Sequence, residues 1–242
     1  MAPVLSHRNQ RVVDASRLHR APERRARGLT LVEGPDLIRD VKAAGAPIVA
    51  TFTTTPESAE DQAVDDRALS RLSGTKTPRG PVAVVQIPLE WLDRNRNLLV
   101  SAGVSDPGNV GTMVRSAAAF GWGFAYMEGT ADPWSPKAIR AGGGGQFQTP
   151  IARVGSLADL SGWTTAAAVP RGGEDPGKIL QRPVALLIGE EAGGLPPWMS
   201  ERCDHLLTIT TSGPTESLNA AVAASIAVFA LSKGSGEGAP AV

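Results

Sequence analysis

The chain has 242 residues, enough for one large domain or two small ones, and 42% of them are hydrophobic, which is ample for a buried core. Lys and Arg number 24 against 24 Asp and Glu, so the net charge is zero and does not by itself announce a nucleic-acid partner. The one cysteine, Cys203, excludes an intrachain disulfide and argues against a cysteine-based zinc site. The N-terminal residues lack the apolar stretch of a signal peptide, and the longest mostly apolar run, residues 220–231, is shorter than the roughly 20 residues a membrane span needs. A soluble cytoplasmic protein is the expectation.

Residues 5–19 place Leu5, Val12, Val13 and Leu18 among polar neighbours, which suits an exposed amphipathic helix. Residues 20–28 read as a basic connector carrying Arg20, Arg24, Arg25 and Arg27. An acidic patch follows at Glu57, Glu60, Asp61, Asp65 and Asp66. Such asymmetry points to a local nucleic-acid footprint, and a solvated helix face explains it equally well. Between these charges lie a strand at 29–32, a Gly34-Pro35 break, a helix at 36–44 ended by Gly45, and a strand at 48–53. A helical acidic segment after Pro56 and a strand at 82–87 complete a small α/β unit, taken as residues 1–88. Residues 89–97 read as a linker, because Pro88 cannot continue a strand ladder and residues 93–97 are wholly polar.

A second unit, residues 98–234, opens with a strand, a tight turn and a helix over 98–121. A strand at 124–127, a loop at 132–136 and a short helix at 137–141 lead to four consecutive glycines, Gly142 to Gly145, read as a flexible loop. Strands follow at 164–169, 184–188 and 205–210, then an Ala-rich helix over 217–231. The tail, residues 235–242, is Gly-, Pro- and Ala-rich and reads as disordered. Alternating strands and helices argue a largely parallel sheet with helices on both faces. Three stretches end a strand in a polar loop, at Asp106–Asn109, Gly189–Gly194 and Glu216–Asn219, where open α/β sheets bind ligands. No P-loop spacing occurs, and His7, His19 and His205 have no metal-ligand spacing. Trp122, Trp163 and Trp198 read as core residues before base-stacking platforms.

Those three stretches resemble the motifs of the SpoU-type (TrmH-like) branch of the SPOUT RNA methyltransferases. The first motif stands as Asp106, Pro107, Asn109 and Gly111 with Arg115 in the following helix. The second stands as Gly189, Glu191, Gly194 and Leu195, with Glu190 in the variable slot. The third stands as Glu216, Ser217, Leu218 and Asn219. Two departures are the glycines at 142–145, where the family usually has a Ser, and Thr210-Thr211, where it usually has Pro-Met.

The resemblance implies a SPOUT-type parallel sheet with a C-terminal trefoil knot, preceded by a small ribosomal-protein-like α/β substrate-binding domain. It implies a homodimer that uses S-adenosyl-L-methionine, without metal, to methylate a ribose 2′-hydroxyl in RNA. Large-subunit ribosomal RNA is the favoured substrate, with transfer RNA or a non-catalytic RNA-binding role as alternatives. The implied catalytic residues are Arg115, Asn109, Glu191, Ser217 and Asn219; the cofactor would meet Leu187, Ile188, Gly189, Ile209, Gly213 and Leu218. Arg20, Arg24, Arg25 and Arg27 would contact RNA phosphates. A guanidinium is a poor base because it stays protonated, so Arg115 is read as a positioning and electrostatic group. Taken singly, each polar residue is also explained by capping or by a surface salt bridge; the order of the three motifs favours function.

Overall fold

The computed structural model describes residues 3–75, 77–78, 80–178, 183–191, 193–213 and 218–233. The chain opens with two short helices, α1 (Gln10–Ser16) and α2 (Ala21–Arg27). Residues 20–28 are therefore not a connector. Pro22 sits at the start of α2, where a missing N–H costs nothing, and Gly28 ends it in the left-handed conformation. The amphipathic reading of residues 5–19 holds only in part: Leu5 bridges to Val64 as a strand would, while Val12 and Leu18 are fully buried.

Strand β1 (Leu29–Glu33), helix α3 (Pro35–Ala43), strands β2 (Ile48–Thr53) and β3 (Asp61–Ala63), helix α4 (Asp66–Ser73) and strand β4 (Val82–Gln86) follow. The strands form one sheet in the order β1-β4-β2-β3. The acidic segment is helical only from Asp66. Before it, the Asp61 carboxylate accepts from the backbone N–H groups of Glu57 and Ser58, both at 3.0 Å, and so builds a turn where a helix was expected.

Six parallel strands make the second sheet: β5 (Leu98–Ala102), β6 (Gly123–Tyr126), β7 (Ile151–Arg153), β8 (Thr164–Ala168), β9 (Val184–Gly189) and β10 (His205–Leu207). Their order is β10-β8-β9-β5-β6-β7, so β5 and β9 lie at the centre. Helices α5 (Pro107–Ala119), α6 (Pro136–Gly142), α7 (Pro197–Ser200) and α8 (Ala220–Lys233) cover it. Strand β9 is buried on both faces, as a central parallel strand must be. Val184, Leu186 and Ile188 join the core under α5 and α8, while Ala185 and Leu187 join the core with Trp163 and Met199. Strand β10 is shorter than the expected 205–210. The expected disordered tail lies outside the described residues.

The two sheets are joined through α6. Ile139 is buried among Val32, Ile38, Val41, Ala83 and Val85 of the first unit. Three polar contacts surround that apolar patch. The Thr30 hydroxyl donates to the Trp134 carbonyl at 2.7 Å, and Arg140 pairs with Glu33 at 2.9 Å. Arg24 Nη2 reaches the Asp132 carboxylate at 2.6 Å, and its Nη1 donates to the Leu18 and His19 carbonyls.

Arg24 is 3% exposed, so its proposed contact with RNA phosphate is corrected: its donors are spent inside the protein. Removing one partner of a buried ion pair leaves the other charge uncompensated. Arg24→Met is therefore expected to lower stability by about 3–5 kcal/mol in chemical denaturation. Arg25→Met, at an exposed position, should stay within about 0.5 kcal/mol of the parent chain.

Candidate active site

The polar turns after β5 and β9 lie side by side at the C-terminal ends of the two central strands, with Ala102 beside Gly189, and Asn219 at the start of α8 meets the first of them. The turn after β5 starts helix α5. Asp106 caps it by accepting from the Asn109 backbone N–H at 3.0 Å, and Pro107 stands in its first turn. Lys137 reaches the same carboxylate at 2.9 Å. The Lys137 hydrogen bond first, and the Asn109 N–H next, hold the Asp106 carboxyl below the usual carboxylate range. That contribution to the turn is present at neutral pH and is lost as pH falls through the depressed value.

Capping by Asp106 leaves the Asn109 carboxamide free to face the other two loops. Its Nδ2 donates to Glu191 Oε1 at 2.8 Å, and its Oδ1 accepts from Asn219 Nδ2 at 3.1 Å. Asn219 Oδ1 in turn accepts from the Ala221 and Val222 N–H groups at 2.9 and 3.2 Å, so it caps α8 as well. The capping reading of Asn219 is borne out, and the same side chain also meets Asn109. Glu191 thus meets Asn109 across 82 residues of sequence. Ser217 lies outside the described residues.

Arg115 faces a different neighbour. It is exposed on α5, and its guanidinium carbon lies 3.6 Å from where a Cβ on Gly143 would stand. Among the described residues no hydrogen bond or ion pair holds it. The glycines beneath it are packed closely, against the expected flexible loop. Gly143 and Gly144 have φ of +57° and +77°, while a Cβ at Gly142 would lie 2.6 Å from Gln146 and one at Gly145 3.2 Å from Ala118. A Ser at Gly143 or Gly144 meets backbone strain, and one at Gly142 or Gly145 requires Gln146 or Ala118 to shift.

A cleft of about 340 Å³ opens between the loop after β9 and the start of α8. Of the residues expected to meet a cofactor, Ile188, Gly189, Ile209 and Leu218 line it, together with Glu191. Gly213 is not among its lining residues. Leu187 is a correction: it is fully buried in the opposite core, with its backbone in register between Val100 and Ala167. The sequence reading missed two walls. One is Val169 and Pro170 at the end of β8, which a strand running straight into a proline signals. The other is Ala220, Ala223 and Ala227 on α8, whose small side chains make room. Among the described residues no group of three His, Cys, Asp or Glu is placed to hold a metal.

Of the exposed arginines, Arg25 stands near Tyr126 at the end of β6. Burial raises the Tyr126 hydroxyl above its ordinary pKa, its hydrogen bond to Glu90 adds to the rise, and the nearby Arg25 charge opposes both. Arg20, Arg25 and Arg27 are exposed, though Arg20 pairs with Glu23 and Arg27 donates to the Asp14 carbonyl. Trp122 and Trp163 are buried as expected, whereas Trp198 is 53% exposed.

Residues 96–229 match the SpoU rRNA Methylase family. The chain is 32% identical to the 23S rRNA (guanosine(2553)-2′-O)-methyltransferase RlmP of Bacillus subtilis, over 96% of this chain and 99% of that one. It is 33% identical to the 23S rRNA (uridine(2479)-2′-O)-methyltransferase of Streptomyces viridochromogenes, over 64% of this chain and 60% of that one. Its fold is similar to the crystal structure of the SpoU methyltransferase AviRb from Streptomyces viridochromogenes in complex with AdoMet. The TM-score is 0.84 at 26% identity, covering 93% of this chain and 98% of that one. An AdoMet-bound rRNA methyltransferase from Sinorhizobium meliloti gives 0.83 at 26% identity, covering 95% and 98%.

The Asn109 bridge carries a measurable coupling. Asn109→Ala and Asn219→Ala should each destabilise the chain. Combined, they should fall short of additivity by about 0.5–1.5 kcal/mol in a double-mutant cycle, since either change alone breaks the shared bond.

Proposed function

The chain belongs to the SpoU rRNA Methylase family, and on that premise we propose that it methylates a ribose 2′-hydroxyl of large-subunit ribosomal RNA, using S-adenosylmethionine. One observation carries the reading: the loop after β9 and the start of α8 line one cleft, and the Asn109 carboxamide of the first motif bonds to a residue of each, Glu191 and Asn219. The donor set fits the cofactor. Ile188, Leu195, Ile209 and Leu218 offer an apolar wall for an adenine ring, and Gly189 and Gly194 line the same cleft without side chains. Glu190 and Glu191 place negative charge where a cation with a sulfonium and an ammonium group would lie. When bound, the cofactor supplies an activated methyl group and a good leaving group.

The chain's own residues then have to align the acceptor and stabilise charge. Glu191, held by Asn109, fixes the loop after β9, and Asn219 fixes the loop before α8. Arg115 keeps a free guanidinium on the acceptor side, binds the phosphate next to the target ribose and favours the developing alkoxide. Ser217 belongs to the same proposal through its motif. Residues 1–88 act as the RNA-binding domain, with Arg20, Arg25 and Arg27 as its phosphate contacts, residues 89–97 as linker and 98–234 as the catalytic domain. The trefoil knot is part of the proposal, supported by the strand order and by the return of α8 against α5 through the 2.7 Å contact of Ser116 with Ser225.

A homodimer completes the reading. Helix α8 buries Ala221, Ala224 and Val228 yet leaves Val222, Ile226 and Phe229 between 40% and 46% exposed, with Phe120 beside Phe229. An apolar stripe of this kind asks for a partner surface. No described helix is long and apolar enough to cross a membrane.

Arg115→Ala should cut methyl transfer to RNA from a deletion strain by about 10²–10³-fold. Its affinity for S-adenosylmethionine in calorimetry should stay near that of the parent. Arg115→Lys should recover little, because a point charge does not replace a planar fork. Full activity in either variant overturns the role. Sedimentation should show a dimer that Phe229→Glu converts to monomer; an active monomeric parent would defeat the assembly.

A further inference from the structure

A second hollow, of about 440 Å³, lies across the loop after β9 from the cofactor cleft. Glu190, Gly193 and Gly194 wall both, so a molecule in one lies a single loop's thickness from the other. Its apolar floor includes the buried Met127 and Met199. Ser105, Glu128 and Glu190 stand at its rim. Ser105 belongs to the turn that leads into Asn109, so the hollow touches the loops after β5, β6 and β9 together. Among the described residues neither the Glu128 nor the Glu190 carboxylate has a hydrogen-bond or ion-pair partner.

We propose that this hollow receives the base of the acceptor nucleotide and that Glu128 selects guanine there. The inference rests on the reading of the chain as a ribose methyltransferase. A ribose whose 2′-hydroxyl reaches the methyl donor carries its base on the adjacent carbon, one sugar's width away, and the hollow is the neighbouring space that adjoins the cleft. Two methionine side chains suit the face of an unstacked base, being flexible and polarizable.

The rim then decides which base enters. An ionised carboxylate only accepts hydrogen bonds. Guanine alone offers two adjacent donors on its pairing edge, N1–H and the N2 amino group, to match two carboxylate oxygens. Uracil sets its single N–H between two carbonyl oxygens that repel a carboxylate. Cytosine and adenine each place a ring acceptor beside their amino group. The relatives described above act on guanosine in one case and uridine in the other, so family membership leaves the base open.

The experiment incubates the full-length protein with methyl-labelled S-adenosylmethionine and large-subunit ribosomal RNA from a deletion strain. The RNA is then digested to nucleosides. The labelled product should be 2′-O-methylguanosine. Glu128→Gln replaces one acceptor by a donor and should lower kcat/KM by roughly 10–100-fold, mostly through KM, with S-adenosylmethionine affinity unchanged. Labelled 2′-O-methyluridine, -cytidine or -adenosine overturns the inference while leaving ribose methylation standing. So does a Glu128→Gln variant with parental kcat/KM. No labelled nucleoside at all overturns the methyltransferase reading itself.

Discussion

One carboxamide holds the site together. Asn109 has a single donor and a single acceptor pointed at two separate loops, and each loop returns one bond of the matching sense. Asparagine is suited to this because it donates and accepts from atoms on one planar group. An aspartate would set two carboxylates against each other at Glu191, and an alanine would leave three polar loops with no tie between them. The bridge is set up upstream: Asp106 caps α5 with its own side chain and so leaves the Asn109 side chain free.

The same economy appears at the junction between the sheets. A helix of seven residues, α6, carries Ile139 into the core of the first unit and ends in the glycine turn that lies under Arg115. Gly111 brings α5 so close to α6 that a Cβ there would sit 2.3 Å from the Ala138 carbonyl oxygen. Arg140 ties that helix to β1 through Glu33, and Arg24 ties α2 to the loop before it through Asp132. The first unit is thereby held in a fixed direction relative to the cleft.

Much of this was legible in the sequence, and the remainder was hidden for physical reasons. The three motif loops could be read because polar residues between apolar strands have few structural explanations. What joins them could not: spacing along a chain does not show that the Asn109 carboxamide meets Glu191 and Asn219, 82 and 110 residues away. Arg24 read as surface charge because a sequence of alternating arginines does not show which one turns inward; the Asp132 that takes it up is 108 residues away. The connector that proved to be α2 was hidden by Pro22, which breaks a helix in its middle and is harmless at its start. Strand β7 was missed because three residues between Pro150 and Val154 carry too little pattern to register. The methionines of the second hollow sit at the ends of different elements, and only the sheet brings them together.

The cleft's walls are contributed late and from afar. Its lining draws on the ends of β8 and β9, on the segment after β10 and on α8, so its last wall arrives with residues 218–227. During synthesis, a nascent chain that has not yet released α8 has its central strands but no enclosed binding site. Loop-closure cost falls on the same step, since α8 must travel back to α5, more than a hundred residues away in sequence. A ligand held in this cleft would stabilise chains whose final helix is seated over those that lack it.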